Sequence, residues 1–362
     1  MNDEKRKQNL RLICVWCGVL LTLAALLIFP KEVRNGGSNG GYLCIQVLLP
    51  SLFPFTVLSD FVARIGIMSR IPKFLGTLTE KVFALPKEAA AVIIMSLVGG
   101  YPVGAKSIRT LFENGSISED EAKRLSLFCV SSGPGFLLTY LGGVMLGSLK
   151  TGYILLLSQC IALLTLGICT RFMRKNKTVT HIKAKAPSLL WGDCLVVSVY
   201  ESVRTMANMC GFIILFSSVA EIYLSLTASS GFPKSATALL EITTGCKILA
   251  ESPSPVAIAF FTGFGGICVH LQIFSILRGI RISKLKFMIF RFAQGLLCGL
   301  FTFVLIRLFP SAKEVFSTAE CVSLDSKAGM AGCFLLILCS GIFLLVIGKK
   351  AAPLKHQHQF RR

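Results

Sequence analysis

Two lysines stand in matching frames within an otherwise apolar chain. Lys106 lies in "VGAKSI" (103–108) and Lys247 in "TGCKIL" (244–249), 141 residues further on. A charge so deep in apolar sequence is a functional candidate by default. Each lysine can bind an anionic group, stand in for a coupling cation, or reach water along its four-carbon stem. Glu241 lies about one turn before the second frame, placed to pair with a lysine or to carry a coupling proton. Hydroxyls accompany the charges: Ser131 and Ser132 in "CVSSGPGF", and Thr262 in "FFTGFGG". They can coordinate a ligand or re-satisfy backbone carbonyls freed by the neighbouring glycines. Tyr101 lines or plugs the same region. His270 and Gln272 follow Thr262, and His270 is either bonded to a neighbouring helix or part of a proton relay. These residue types suit recognition of a small polar solute rather than bond-breaking. No HExxH or G-x4-GK[ST] motif occurs, so no catalytic residues, metal ligands or cofactor are assigned. The CxxC of Cys14 and Cys17 lies on one apolar helix. The fourteen cysteines serve mainly as small hydrophobes, with Cys321 in a loop.

The elements that must position these residues are interrupted ones. Residues 89–98 are apolar for about 15 Å of helix, half a bilayer. Gly99, Gly100, Pro102 and Gly104 follow, and a second half-length piece runs to "ENG". This reads as a re-entrant hairpin over 88–112. The pattern returns over 233–253, where "TALLEITTGCKIL" places a tip at Thr243–Gly245. Each hairpin precedes an apolar helix broken in its middle, first at Gly133 and Pro134, then at Gly263 and Gly265. An interior glycine costs a helix about 1 kcal/mol and an interior proline about 3 kcal/mol. Breaks recurring in two copies therefore need compensation, and irregular backbone at membrane depth survives only inside protein or along a cavity.

The chain is 53% hydrophobic and 15% charged, with mean hydropathy +0.70, beyond what a soluble domain carries. Apolar runs at 11–29, 42–62, 123–148, 151–172, 203–226, 254–278, 286–309 and 328–348 are each long enough to cross a bilayer. The expected fold is an all-α polytopic membrane protein with about eight transmembrane helices plus two re-entrant hairpins in two inverted repeats. Residues 1–41 hold the cytoplasmic start and first helix, and 42–172 the first repeat. Residues 173–202 form a basic linker with an amphipathic helix over 189–206, 203–309 the second repeat, and 310–362 the last helix and basic tail. Ser118 and Glu121 form a capping box that starts the first broken helix. The net charge of +20 falls mostly on loops of one side, around 174–185 and 278–286 and in the tail, which contains His356 and His358. That bias places both termini in the cytoplasm of a bacterial inner membrane. No basic run interleaves with aromatics, so nucleic acid is not a partner. The expected partners are the lipid bilayer and a small polar solute, nucleoside-like or anionic; a homo-oligomer is compatible with these features.

Four stretches carry a resemblance: "LLPSLFPFTVLSD" (48–60), "GGYPVGAKS" (99–107), "CVSSGPGF" (129–136), and "EITTG" with "GFGGICVHLQ" (241–245, 263–272). They resemble the sporulation integral membrane protein YlbJ family, within the nucleoside-recognition or Gate-domain group. More loosely, the pattern is similar to concentrative nucleoside transporters, whose two hairpins and two unwound helices hold the substrate. The resemblance implies a solute site at the tips and breaks, and a role in spore-envelope formation. Non-transporting scaffolding of a spore-envelope assembly is the other function it allows. This chain departs from those transporters in carrying lysines, and a single acid, at its hairpin tips.

Overall fold

The structure, a computed structural model, describes residues 2–66, 71–173, 191–228, 233–251 and 254–309, with backbone alone over 2–11, 14 and 15. The helix expected at 328–348, the tail with its two histidines, Cys321 and most of the 173–190 linker lie outside the described residues. Among the described residues every regular element is a helix. Six of its helical stretches are long and apolar enough to cross a membrane: Pro30–Arg64, Ala89–Glu113, Leu149–Arg171, Trp191–Thr227, Pro255–Ile276 and Lys284–Leu308.

The last of these, α13 (Lys284–Leu308), shows why the chain needs lipid. Leu285, Ile289, Phe292, Leu296, Leu300, Phe303 and Leu308 are exposed, at helical spacing. Its buried face is Phe287, Arg291, Gln294, Gly295, Cys298, Gly299 and Thr302. A water-soluble helix has the reverse pattern. Thr302 Oγ1 meets Ser158 Oγ of α7 (Leu149–Arg171) at 2.8 Å, and Gln294 Nε2 and Cys298 Sγ both donate to Gln159 Oε1. The chain is an integral membrane protein.

After α1 (Asn2–Ile28), α2 (Pro30–Leu43) runs through a π-helical turn, Cys44–Leu48, into α3 (Leu49–Arg64). The membrane helix thus begins at Pro30 rather than at 42, and the glycine run "GGSNGG" is helical. Its glycines allow close contact with α8 (Trp191–Thr227): a Cβ on Gly36 would lie 2.4 Å from Ser217 O. The run also spells the G-x-S-x-G spacing of a hydrolase nucleophile elbow, but a helix packed against a helix is not the strained strand-to-helix turn that such chemistry needs. Helix α8 is continuous through 202. The expected interfacial helix over 189–206 is therefore the first part of a 37-residue helix from Trp191 onward. Ser225 meets Glu32 near the start of α2, and Ser202 meets Lys106, which pairs with Asp60 near the end of α3, so α8 runs antiparallel to α2 and α3.

After α4 (Lys73–Phe83) comes α5 (Ala89–Glu113), which is not one straight rod. At Gly100 the backbone takes φ 77°, ψ −168°. A Cβ on Gly104 would lie 2.9 Å from Ser96 Oγ, whereas residues eight apart in an unbroken helix are separated by about 12 Å. The chain turns back on itself. The elements on either side of it are tied together by Arg124 of α6 (Glu119–Phe128), which donates to Phe83 O at 2.5 Å and Ala84 O at 2.9 Å at the end of α4. Ser118 and Glu121 close the capping box that starts α6. An irregular stretch then leads to a π-helix, Gly135–Met145.

The second half also contains a fold-back and an interrupted helix. Helix α9 (Thr237–Leu240) ends at Glu241, whose backbone is extended, and α10 (Ile242–Glu251) follows. A Cβ on Gly245 would lie 2.3 Å from Ala238 Cβ, against about 10 Å in an unbroken helix. This segment also doubles back, but its break falls at Glu241, before the expected Thr243–Gly245 tip. Helices α11 (Pro255–Phe264) and α12 (Gly266–Ile276) are separated by Gly265 at φ 91°. The two fold-backs meet α8 at different levels. Lys106 touches Ser202, and Pro233 O accepts from the Tyr223 hydroxyl. Those α8 residues are about 31 Å apart along the helix.

Candidate functional site

Four irregular segments converge. The Gly100 turn rests on the first break: a Cβ on Gly100 would lie 2.8 Å from Gly133 N and 3.5 Å from Ser131 O. The second turn rests on the second break: a Cβ on Gly266 would lie 3.0 Å from Ala238 O and 3.5 Å from Leu240 O. Ser132 Oγ donates to Thr262 O at 3.1 Å and joins the two breaks directly. Helix ends gather here because four helical segments are interrupted, at Gly100, around Gly133, at Glu241 and at Gly265, and each end exposes backbone N–H or C=O groups without intrahelical partners.

Much of that exposed backbone is satisfied from within. The Glu241 carboxylate caps α10, accepting from Thr243 N at 2.9 Å and Thr244 N at 2.6 Å. It is 1% exposed and within electrostatic range of the Tyr101 and Tyr140 hydroxyls. Thr262 Oγ1 bonds back to Ile258 O at 2.8 Å in its own helix. His270 Nε2 meets Phe264 O at 2.8 Å, so it serves the carbonyl freed at the second break. Gln272 Nε2 donates to Cys268 Sγ at 3.1 Å, and its buried Oε1 has no hydrogen-bond partner.

The structure gathers Tyr101, Ser131, Ser132, Glu241, Thr262 and the glycines of both breaks. Gly263 sits against α13, where a Cβ would meet Cys298 Sγ at 2.8 Å, so its absent side chain serves packing. Pro102 is buried in the second arm of the hairpin, and Pro134 opens the π-helix. The two lysines do not join this group. Lys106 Nζ lies 3.6 Å from Asp60 Oδ1 and 3.3 Å from Ser202 Oγ. Asp60 is buried and also accepts from Arg64 Nε at 2.6 Å. Beside this cluster Ser59 and Ser107 share a 3.0 Å hydrogen bond. Lys106 therefore fastens the second arm of the first hairpin to α3 and α8. Lys247 is exposed on α10. Matching sequence frames do not give the two lysines equal surroundings, and neither pairs with Glu241.

Asp60 and Arg291 escaped the reading of residue types. Asp60 ends a quoted motif, and an acid near the end of an apolar helix was the available signal. Arg291 and Gln294 lie three apart within "FMIFRFAQGLL", a polar pair in one apolar helix. Arg291 is 2% exposed and donates to Leu127 O at 2.8 Å, to Val130 O and to Gln294 Oε1. The first break is thus served by a side chain of α13.

The comparisons with known proteins follow the same lines. Residues 45–170 match the family model Gate, described as nucleoside recognition. The match begins in the π-helical turn before α3 and ends in the last turn of α7, so it covers the first hairpin and the first break. Over 331 residues, 79% of this chain and 80% of the relative, the chain is 28% identical to the sporulation integral membrane protein YlbJ of Bacillus subtilis (strain 168). No solved structure matches the chain.

Proposed function

We propose that this Gate-containing membrane protein binds a small polar solute where the two hairpin turns meet the two helix breaks, and moves it across the membrane. The observation that carries the reading is the Ser132–Thr262 contact, which unites two breaks already seated against two turns. Paired interrupted helices of this kind are the construction of midplane sites in secondary transporters. The topology we propose has about eight crossings, two re-entrant hairpins and two inverted repeats, with both termini cytoplasmic in a bacterial cell membrane. The Arg124 tie supports a first hairpin that starts and ends on one side. A second hairpin opening on the other side is supported by α8, which meets Lys106 of the first fold-back and Pro233 at the start of the second about 31 Å apart along its length.

The solute class follows from Glu241. A helix N-terminus attracts anions, but at α10 the chain supplies its own carboxylate. A neutral, hydrogen-bonding solute of nucleoside type fits this arrangement better than an anion. The likeness to a sporulation protein supports a role in spore-envelope formation, and the proposal includes no enzymatic step. A second reading, a non-transporting scaffold of that envelope, is favoured by how fully Arg291, His270 and Glu241 satisfy the breaks. Uptake of radiolabelled uridine and adenosine into proteoliposomes separates the two. Transport requires uptake above empty vesicles that falls at least about tenfold in Ser132→Val, a loss of about 1.4 kcal/mol. Equal uptake in protein-free vesicles leaves the scaffold.

A further inference from the structure

The guanidinium of Arg291 occupies a site built like one for a metal cation. Its acceptors are the carbonyl oxygens of Leu127 and Val130 and the side-chain oxygen of Gln294, all neutral oxygens. Two of the three belong to the C-terminal end of α6 where it unwinds. A helix C-terminus carries about half a negative charge, and unwound carbonyls with half-helix C-terminal ends are what hold coupling cations in interrupted-helix transporters. Among the described residues, no Asp or Glu forms an ion pair with Arg291. An unpaired positive charge, 2% exposed and inside a membrane protein, needs exactly such a negative helix end. The guanidinium carbon also lies 5.6 Å from the centroid of the Phe287 ring.

The second break makes an instructive contrast. There the freed carbonyl of Phe264 meets His270 Nε2, from the helix that follows it, and the backbone bends at Gly265 without an inserted charge. The first break alone draws a charge from a distant helix. That charge arrives on a rigid arm: Gln294, a ligand of the guanidinium, is itself held by Gln159 of α7 at 3.2 Å. A guanidinium keeps its proton throughout the physiological pH range, so the positive charge is permanent.

We infer that Arg291 is the resident cation of the first helix break, a covalently attached substitute for a coupling metal ion, so that the break needs no sodium, lithium or potassium from solution. This rests on reading the breaks as a solute site only for the word coupling; the occupancy itself is independent of transport.

The test is the melting temperature of the purified full-length protein in detergent, in sodium, lithium, potassium or choline chloride at equal ionic strength. Wild type should melt within about 1 °C in all four, because a filled site gains nothing from a free ligand. Arg291→Ala and Arg291→Gln should melt lower in choline. Both should recover at least about 3 °C with 10 mM guanidinium chloride, roughly what ligand linkage gives at this chain length. Arg291→Lys should keep most of the wild-type stability. Stabilisation of wild type by sodium or lithium over choline, abolished by Arg291→Lys, overturns the inference without any variant lacking the charge having to fold. So does an Arg291→Gln protein that melts like wild type and responds to no cation, since its amide would then replace a mere hydrogen-bond donor. A protein that passes these tests yet takes up no solute would sink the transport reading and leave this one standing.

Discussion

Gly100 and Gly133 press together so closely that neither has room for a side chain. A Cβ on Gly100 would lie 2.8 Å from the Gly133 nitrogen, and one on Gly133 would lie 3.0 Å from the Gly100 nitrogen. The first position is doubly restricted, because its φ of 77° with ψ of −168° is a region that essentially only glycine adopts. The hairpin turn and the helix break are thus one joint made from two glycines. Gly100→Ala should destabilise the protein by about 3 kcal/mol, the sum of backbone strain and overpacking. Gly133→Ala should cost somewhat less, about 1–3 kcal/mol from overpacking alone. Gly18→Ala, where nothing lies within 4 Å, is the control and should be neutral or slightly stabilising. Melting of the three variants in detergent checks the order; Gly100→Ala as stable as Gly18→Ala would mean that the turn is not built as described.

Lys106 and Lys247 should now behave differently. Removing Lys106 leaves Asp60 buried with Arg64 as its remaining ion-pair partner. Breaking a buried pair costs about 3–5 kcal/mol when one charge is stranded, and Arg64 reduces that here to about 2 kcal/mol. Lys106→Met should therefore destabilise, and Lys106→Met with Asp60→Asn should recover at least about 1 kcal/mol in a double-mutant cycle. Lys247→Met, at an exposed position, should stay within about 0.5 kcal/mol of wild type. Matching losses in Lys106→Met and Lys247→Met would restore the symmetric site that the spacing of 141 residues suggests.

Sidedness is the third expectation. Lys87 and Asn114 flank the first fold-back and are exposed. Arg281 N bonds Glu119 Oε1 at 3.1 Å, which brings the 278–283 loop to the same face. Cysteines at Lys87, Asn114 and Arg281 should therefore react with an impermeant maleimide from one side of the membrane. A cysteine at Lys234 should react from the other side. The background would lack the exposed native Cys17 and Cys169. Labelling of Lys87→Cys and Asn114→Cys from opposite sides would make the segment a crossing and overturn the proposed inverted repeat with it.

These contrasts show what residue order could and could not reveal. The breaks at Gly100, Gly133 and Gly265 were legible because glycine and proline in apolar sequence carry a known helix cost. The burial of Lys106 was legible for a related reason, as charge is scarce in apolar sequence. Its partner was not, since Asp60 comes from a different helix and only tertiary contact pairs them. The helical state of "GGSNGG" was hidden too. Local propensity opposes it, but the missing side chains let Gly36 and Gly40 approach Ser217, and that packing outweighs propensity. Arg291 left a trace that periodicity could have exposed: with Gln294, Cys298 and Thr302 it marks a polar stripe opposite a lipid-facing one.

The last prediction separates the two roles of Glu241. As an N-cap it satisfies two backbone donors of α10, and a hydroxyl or amide side chain can do the same. As a charge it lies in range of Tyr101 and Tyr140 at the meeting of the turns, where a solute with hydrogen-bond donors would be read. Glu241→Ser and Glu241→Asn keep capping chemistry and remove the charge. Glu241→Ala removes both. If the carboxylate touches the solute, the Ser and Asn variants should fold within about 1 kcal/mol of wild type, while the Ala variant loses about 1–2 kcal/mol. All three should lose uridine- and adenosine-induced shifts in melting temperature, together with uptake into proteoliposomes. Nucleoside shifts that persist in Glu241→Ser would confine Glu241 to capping, and recognition would then fall to Ser131, Ser132 and Tyr101. A wild-type protein that shows no shift with either nucleoside, yet orders its variants as Ser, Asn, Ala in stability, would point instead to a purely structural joint.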